Sequence, residues 1–372
     1  MGRVETPARG AGAGPNLFRE VKPLKVATRS IKRIACRIFK TVGKIFAPAR
    51  NSTYKTEDLT KALIETCVRN SSAEQCSMPS PDTMLRRLHQ VDEETFDLII
   101  KDLNAGLLRK LHPRRRVMTA LDYRTLPFYG IEQPVLVSSS RLPGTTLGIE
   151  FATISIVEAG RTFTLEVKQV GPFTSKTKVL LEMLEAVKGL VKPKILLLDR
   201  AFFSVEVINA LKSEKQHFLM PAKRTAPIKR LCKAFERGEI PPVVDYTVES
   251  LEDSAQVKLI FVRRKTKKGL KTHVFVSDAA LEPEVASELY RCRWRIETNN
   301  REIEKFRART TSRSMELRRI YYSLAALLYN LWIVMRSVLG GLRSYEFKRI
   351  LSIRLNVAVP SVTFECSLGP SP

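Results

Sequence analysis

The chain has 372 residues, with 63 Lys and Arg against 38 Asp and Glu, a net charge of +25, and 44% hydrophobic residues. At roughly 100 to 200 residues per domain there is room for two or three domains with a real core, which excludes wholesale disorder and a small disulfide scaffold. A cationic surplus of this size repels itself in a compact chain and persists where a polyanion neutralises it, nucleic acid before an anionic membrane.

Residues 1–50 carry twelve Lys and Arg against Glu5 and Glu20 and read as a basic arm. Its start, with Gly10, Gly12, Gly14 and Pro15, is too poor in apolar residues to fold alone, a solvated tail being the plain alternative for the first twenty, and Ile31 to Phe46 is loosely helical. Residues 51–116 read as a helical DNA-binding domain. Leu59, Leu63, Ile64 and Cys67 recur at helical steps after an N-cap at Thr56. A short helical start at Ser72 is broken by Met78-Pro79-Ser80-Pro81, and a second helix begins at Asp82 with Leu85 and Leu88 inward and Arg86 and Arg87 outward. Two short helices across a tight break, the second basic, suit a helix-turn-helix that lays Arg86 and Arg87 on DNA; plain helical packing gives the same pattern. A third helix, Glu93 to Leu108, precedes the basic run Arg109 to Arg116.

Strands and helices then alternate. Val117 to Asp122 is a short apolar strand ending in a carboxylate, and Leu147 to Val157 and Thr162 to Val170 form an antiparallel pair joined at Ala159-Gly160-Arg161. Ser175 to Leu190 is an amphipathic helix, and Lys194 to Leu198 is a strand buried on both faces that ends at Asp199. A helix from Ser204 to Lys215 and a strand at His217 to Met220 complete a mixed α/β sheet over residues 117–222. Residues 223–280 interrupt it with a β-rich insertion, whose hairpin tip carries Arg263, Arg264 and Lys265. Helices resume at Pro283, occupy residues 281–340 with at least one break, and leave 341–372 as a tail.

The longest apolar run, Ile320 to Met335, has sixteen residues with Asn330 inside it. Spanning a bilayer takes about twenty, so a buried core helix is expected, with no membrane partner. No secretory signal is visible. The six cysteines show no C-x-x-C spacing, so structural zinc is not expected and a reduced cytoplasmic setting is.

Three carboxylates stand out. If the first and fourth strands lie side by side, as in ribonuclease H, Asp122 and Asp199 are neighbours; repulsion between them calls for a cation, and hard oxygen donors suit Mg²⁺ or Mn²⁺. On the following helix, steps of 100° place Tyr290, Arg293, Glu297, Arg301 and Glu304 within about 40° of one line. Leu289, Cys292, Ile296, Ile303 and Phe306 form the adjacent apolar stripe, so Glu297 lies at the edge of the core. Each piece also has a plain reading: an Asp at a strand end is often a turn residue, and a Glu among arginines is often a surface ion pair.

Together these residues resemble the DDE-type transposases of prokaryotic insertion sequences, in the group with a Y-x2-R-x3-E signature. That signature is Tyr290, Arg293, Glu297 here; Leu197-Leu-Asp199-Arg-Ala-Phe-Phe resembles the second-aspartate motif, and Asp122-Tyr followed by Pro127-Phe-Tyr-Gly130 the first. The resemblance covers roughly residues 117–335. It implies a ribonuclease-H-like core with a β-rich insertion, and two divalent ions held by Asp122, Asp199 and Glu297. It further implies strand cleavage and strand transfer on double-stranded DNA with terminal inverted repeats and on target DNA, by a homodimer at the nucleoid. Tyr290 and Arg293 would hold a phosphate near a flipped base, Arg301 and Lys305 other phosphates, and Trp294 is expected to pack in the core rather than stack on that base. Two positions depart from the pattern: Glu304 stands where lysine is usual, with Lys305 turned about 100° from it, and Arg124 where threonine is frequent. The departures keep open a DNA-binding protein without catalysis, and a general ribonuclease-H-like nuclease is a third reading.

Overall fold

The computed structural model describes residues 24–47, 51–76, 78–111, 113, 116–140, 142–158, 161–266 and 269–355. The start of the expected basic arm, the turn at 159–160 and the end of the chain beyond 355 lie outside them. Four helices come first: α1 (Leu24–Gly43), α2 (Thr56–Arg69), α3 (Pro81–Leu88) and α4 (Glu93–Leu111). Thr56 is the first helical residue of α2 rather than its cap. Asp58 reaches back instead, accepting from the backbone N–H of Lys55 at 3.0 Å. On α3 the buried residues are Met84 and Leu88, with Leu85 half-buried.

The strands β1 (Arg116–Pro127), β2 (Val137–Ser138), β3 (Leu147–Glu158), β4 (Arg161–Val170), β5 (Lys192–Leu197), β6 (Phe218–Pro221), β7 (Val243–Glu249), β8 (Ser254–Thr266) and β9 (Gly269–Ser277) form one sheet. Its order is β2-β3-β1-β5-β6-β9-β8-β7, and β4 pairs β3. β1 and β5 are parallel neighbours, as the buried run of β5 predicts. The insertion is not a separate β unit: β9 pairs antiparallel with β6, so its three strands prolong the central sheet.

Helices α5 (Lys176–Val187), α6 (Val205–Ser213), α7 (Ala226–Arg237), α8 (Pro283–Arg291), α9 (Trp294–Glu304), α10 (Met315–Leu339) and α11 (Ser344–Leu355) complete the α-helices of the described residues. Alternation along the strands divides the core. Leu196 and Leu198 join a large cluster with α5, α6 and α10; Ala120, Ile195 and Leu197 join a smaller one with Ala286 of α8 and Ile296 of α9. The large cluster also takes in Leu63 of α2 and Leu107 of α4, so the N-terminal helices share the core of the sheet.

By length and composition α10 could cross a membrane, yet every residue from Ile320 to Met335 is buried within the fold. Asn330 is part of the reason. Its side-chain oxygen accepts from the Thr164 N–H at 2.9 Å, and its amide donates to Thr164 C=O at 2.7 Å and Asn104 Oδ1 at 3.0 Å, which joins α10, β4 and α4 with no amide group unpaired.

Candidate active site

The last parallel rung between β1 and β5 pairs Ala120 with Leu197. Two residues further along each strand, on the same face by alternation, stand Asp122 and Asp199. Asp122 does not close its strand as the sequence suggested. β1 continues to Pro127 on the ladder of β3 alone, with Asp122 opposite Thr153. β5 does end, and Asp199 caps the 3₁₀ turn Arg200–Phe202 by accepting from the Arg200 N–H at 2.6 Å. The two aspartates therefore mark the point where the parallel ladder opens.

The expected single helix from Tyr290 to Lys305 is two helices. Between α8 and α9 the N–H groups of Cys292 and Arg293 bond three residues back, to Leu289 and Tyr290, in a tightened 3₁₀ turn. Arg293 lies in that turn, 8% exposed, with one amino group 3.4 Å from Asp122 Oδ1 and the other 2.6 Å from Glu297 Oε1. Burial pushes the Asp122 carboxyl up to about 6, against the pull of Arg293 and with help from the charges of Glu297 and Asp199. Burial also opposes the charge on Arg293, but Tyr290 and the three carboxylates outweigh it and hold the guanidinium above its usual range. Tyr290 faces inward: its hydroxyl donates to the Leu198 carbonyl at 3.3 Å, and its ring packs 5.0 Å from Phe275. It ties α8 to the end of β5 beside Asp199.

Asp122, Tyr123, Arg124, Trp294, Glu297, Asn300 and Arg301 line a cleft of about 440 Å³. Trp294 is 62% exposed at its rim, which corrects the expectation that it packs in the core; the apolar stripe of α9 consists of Ile296 and Ile303 instead. Asn300, which sequence reasoning passed over, is buried and accepts from Thr153 Oγ1 at 3.2 Å, across from Asp122. Its position three residues after Glu297, on the same helix face, was the available signal.

The other expected DNA contacts are dispersed. Arg301 reaches the cleft, but Lys305 does not: its ammonium binds Glu302 at 2.6 Å. Arg86 is exposed on α3, whereas Arg87 donates to Ser52 and Gln90 at 3.3 Å. Arg263, Arg264 and Lys265 are not at a hairpin tip. They pair in the β8–β9 ladder with Thr272, Lys271 and Leu270, because the strand extends to Thr266. Arg263 is spent on the carbonyls of Phe235 and Glu236, and Arg264 on Ser287.

Among the described residues, no three Asp, Glu, His or Cys side chains are grouped so as to hold a metal ion. The donor chemistry nonetheless fits a hard divalent cation. Asp122, Asp199 and Glu297 offer only oxygens, burial and to a lesser degree the charges of Glu297 and Asp199 raise Asp122, and a guanidinium already supplies positive charge between two of them.

The mixed α/β sheet, with Asp122 and Asp199 where β1 and β5 part, fits a ribonuclease-H-like fold. Residues 172–331, which include Asp199, Tyr290, Arg293 and Glu297, match the family described as Transposase DDE domain. No curated protein matches the chain. Among solved structures, the fold is similar to that of piggyBac transposase in a synaptic complex with hairpin DNA, at a TM-score of 0.55 and 14% identity over 94% of this chain and 84% of that one. The match over residues 172–331 and the similar fold support the resemblance to DDE-type transposases read from the motifs.

Proposed function

We propose that the protein is a transposase that cleaves DNA at the ends of an insertion sequence and joins the freed 3′ ends to target DNA. The observation that carries this reading is the rung Ala120–Leu197, beyond which Asp122 and Asp199 project on one face, with Glu297 brought to Asp122 by Arg293. Asp122, Asp199 and Glu297 would hold two Mg²⁺ or Mn²⁺ ions, which lower the pKa of the attacking water and stabilise the leaving oxygen. Arg293 keeps Asp122 and Glu297 together before they are loaded. Arg301 offers a fork of donors to a phosphate at the mouth of the cleft, and Trp294 an aromatic face to an unpaired base. The substrate is double-stranded DNA with terminal inverted repeats, bound by a dimer that pairs two ends in the nucleoid.

The test uses duplexes carrying the repeats that flank the gene, with Mg²⁺ or Mn²⁺. Metal-dependent nicking at the repeat end, lost in Asp199→Asn, is expected; cleavage that survives that substitution contradicts the reading. The engagement of both Asp122 and Glu297 by Arg293 favours a second reading, a DNA-binding protein without catalysis, which predicts salt-sensitive duplex binding and no strand breakage in any metal. Equal cutting of random duplexes would point instead to a general ribonuclease-H-like nuclease.

A further inference from the structure

Arg124 follows Asp122 by two residues and lies on the same face of β1. Its Nε is buried and faces the equally buried Oε1 of Glu304 at 3.6 Å, an ion pair slightly too long for a hydrogen bond. The other oxygen of Glu304 is held by Arg307 Nε at 3.1 Å. Among the described residues no hydrogen bond occupies the terminal amino groups of Arg124, whose side chain is 42% exposed and lines the cleft beside Glu297, Asn300 and Arg301. The guanidinium is thus anchored at its stem and open at its tip. A planar fork presented this way fits an anion with two adjacent oxygens.

The helix offers no equivalent cation beyond Arg301. Lys305 is bound to Glu302, and its backbone carbonyl accepts from Lys348 on α11. Resting on the DNA-cleaving reading above, we propose that Arg124 grips a DNA backbone phosphate next to the scissile one, and that Glu304 is the positioning residue that aims it. Strand β1 then supplies both a metal-ligating carboxylate and a phosphate-gripping cation, two residues apart. The two departures from the family pattern form one unit: a carboxylate on the helix and a guanidinium on the strand face each other across the cleft wall.

A pair that merely fastened α9 to β1 would affect stability and leave DNA binding alone, so the test reads both. Arg124→Ala, Arg124→Lys, Arg124→Gln, Glu304→Gln and the double variant Arg124→Ala with Glu304→Lys are compared with the parent on the flanking-repeat duplex. Binding is followed by fluorescence anisotropy in EDTA over a salt series, cleavage by single turnover in Mg²⁺, and folding by thermal melts. Arg124→Ala should weaken binding about tenfold and lower the slope of log K against log salt by about one. Arg124→Lys should restore the slope but not the cleavage rate, because an ammonium cannot grip two oxygens in a fork. Glu304→Gln should keep the slope and slow cleavage, and Glu304→Lys should return the slope lost in Arg124→Ala. An unchanged salt slope in both Arg124→Ala and Arg124→Gln, with cleavage at the parent rate and still abolished by Asp199→Asn, overturns this proposal alone. A parent protein that neither binds nor cuts the duplex overturns the underlying reading and this proposal with it.

Discussion

The ring of Tyr123 lies on that of Phe202, with centroids 5.3 Å apart and planes 6° from parallel. Tyr123 follows Asp122 directly, and Phe202 closes the turn that Asp199 caps, so the stack fixes the two aspartate-bearing backbones relative to each other. The aromatic after Asp-Arg thus has a mechanical role in this chain. Phe202 is fully buried, and its replacement by alanine should cost about 3–5 kcal/mol. Phe202→Leu should retain most of the stability but slow cleavage more than it weakens DNA binding. Equal losses in the two would show that the stack only fills space.

Asp122 should cost the metal-free protein stability. Its carboxyl is raised to about 6 in the fold from an ordinary value near 3.8, so the contribution is fully present below about 3.8 and is lost as pH rises through 6. At pH 7 the charged form is disfavoured by at most about 3 kcal/mol, with Arg293 and Glu297 left to pair in its absence. Asp122→Asn should therefore melt higher than the parent at pH 7 in EDTA and abolish cleavage. The gap should close on acidification to pH 4, and added Mg²⁺ should raise the parent's melting temperature but not the variant's. A variant that melts at or below the parent at pH 7 contradicts the account.

Asn330→Leu should be severely destabilising in spite of the apolar surroundings. Leucine leaves the Thr164 N–H and C=O without their partner on α10, and Asn104 without its donor. Each buried orphan costs about 1–3 kcal/mol, so the three together predict a loss of about 3–9 kcal/mol in denaturant melts. A stability within 1 kcal/mol of the parent would falsify the bridging role.

Trp294 should report DNA directly. The other tryptophan, Trp332, is buried on α10, so fluorescence quenching by DNA belongs to Trp294. Trp294→Ala should leave the melting temperature nearly unchanged and weaken binding to duplexes with an unpaired base by about 1–3 kcal/mol, the range for one stacked base. Fully paired DNA should be affected less, and the quench should vanish. A quench that persists in the variant would assign it to Trp332 and remove Trp294 from the interface.

Much of this was legible in the sequence because it depends on local periodicity. The paired strands β3 and β4, the doubly buried β5 and the core helix α10 are each written in runs of apolar residues with a single solution. So are Asp199 at the end of β5 and Glu297 at the margin of the stripe on α9. What escaped depends on pairing. Asp122 reads as a terminus because its apolar run stops there, yet the ladder with β3 carries β1 five residues further. The strands of the insertion look autonomous, but only β9 beside β6 shows that they belong to the same sheet. Trp294 reads as a core residue in the sequence, while the turn at Cys292–Arg293 sets its direction. The meeting of Arg124 and Glu304, 180 positions apart, follows from the approach of α9 to β1, which no local pattern encodes.

The core that α2 and α4 share with the sheet bears on how the specificity of such a protein can be changed. A DNA-reading module with its own core can be cut out and exchanged like a cartridge. Here excision would strip α10 of its cover and expose Leu63, Leu107 and the Asn330 junction to water. On the DNA-binding reading expected of these helices, retargeting would proceed one side chain at a time on exposed positions such as Arg86, with the scaffold beneath left whole.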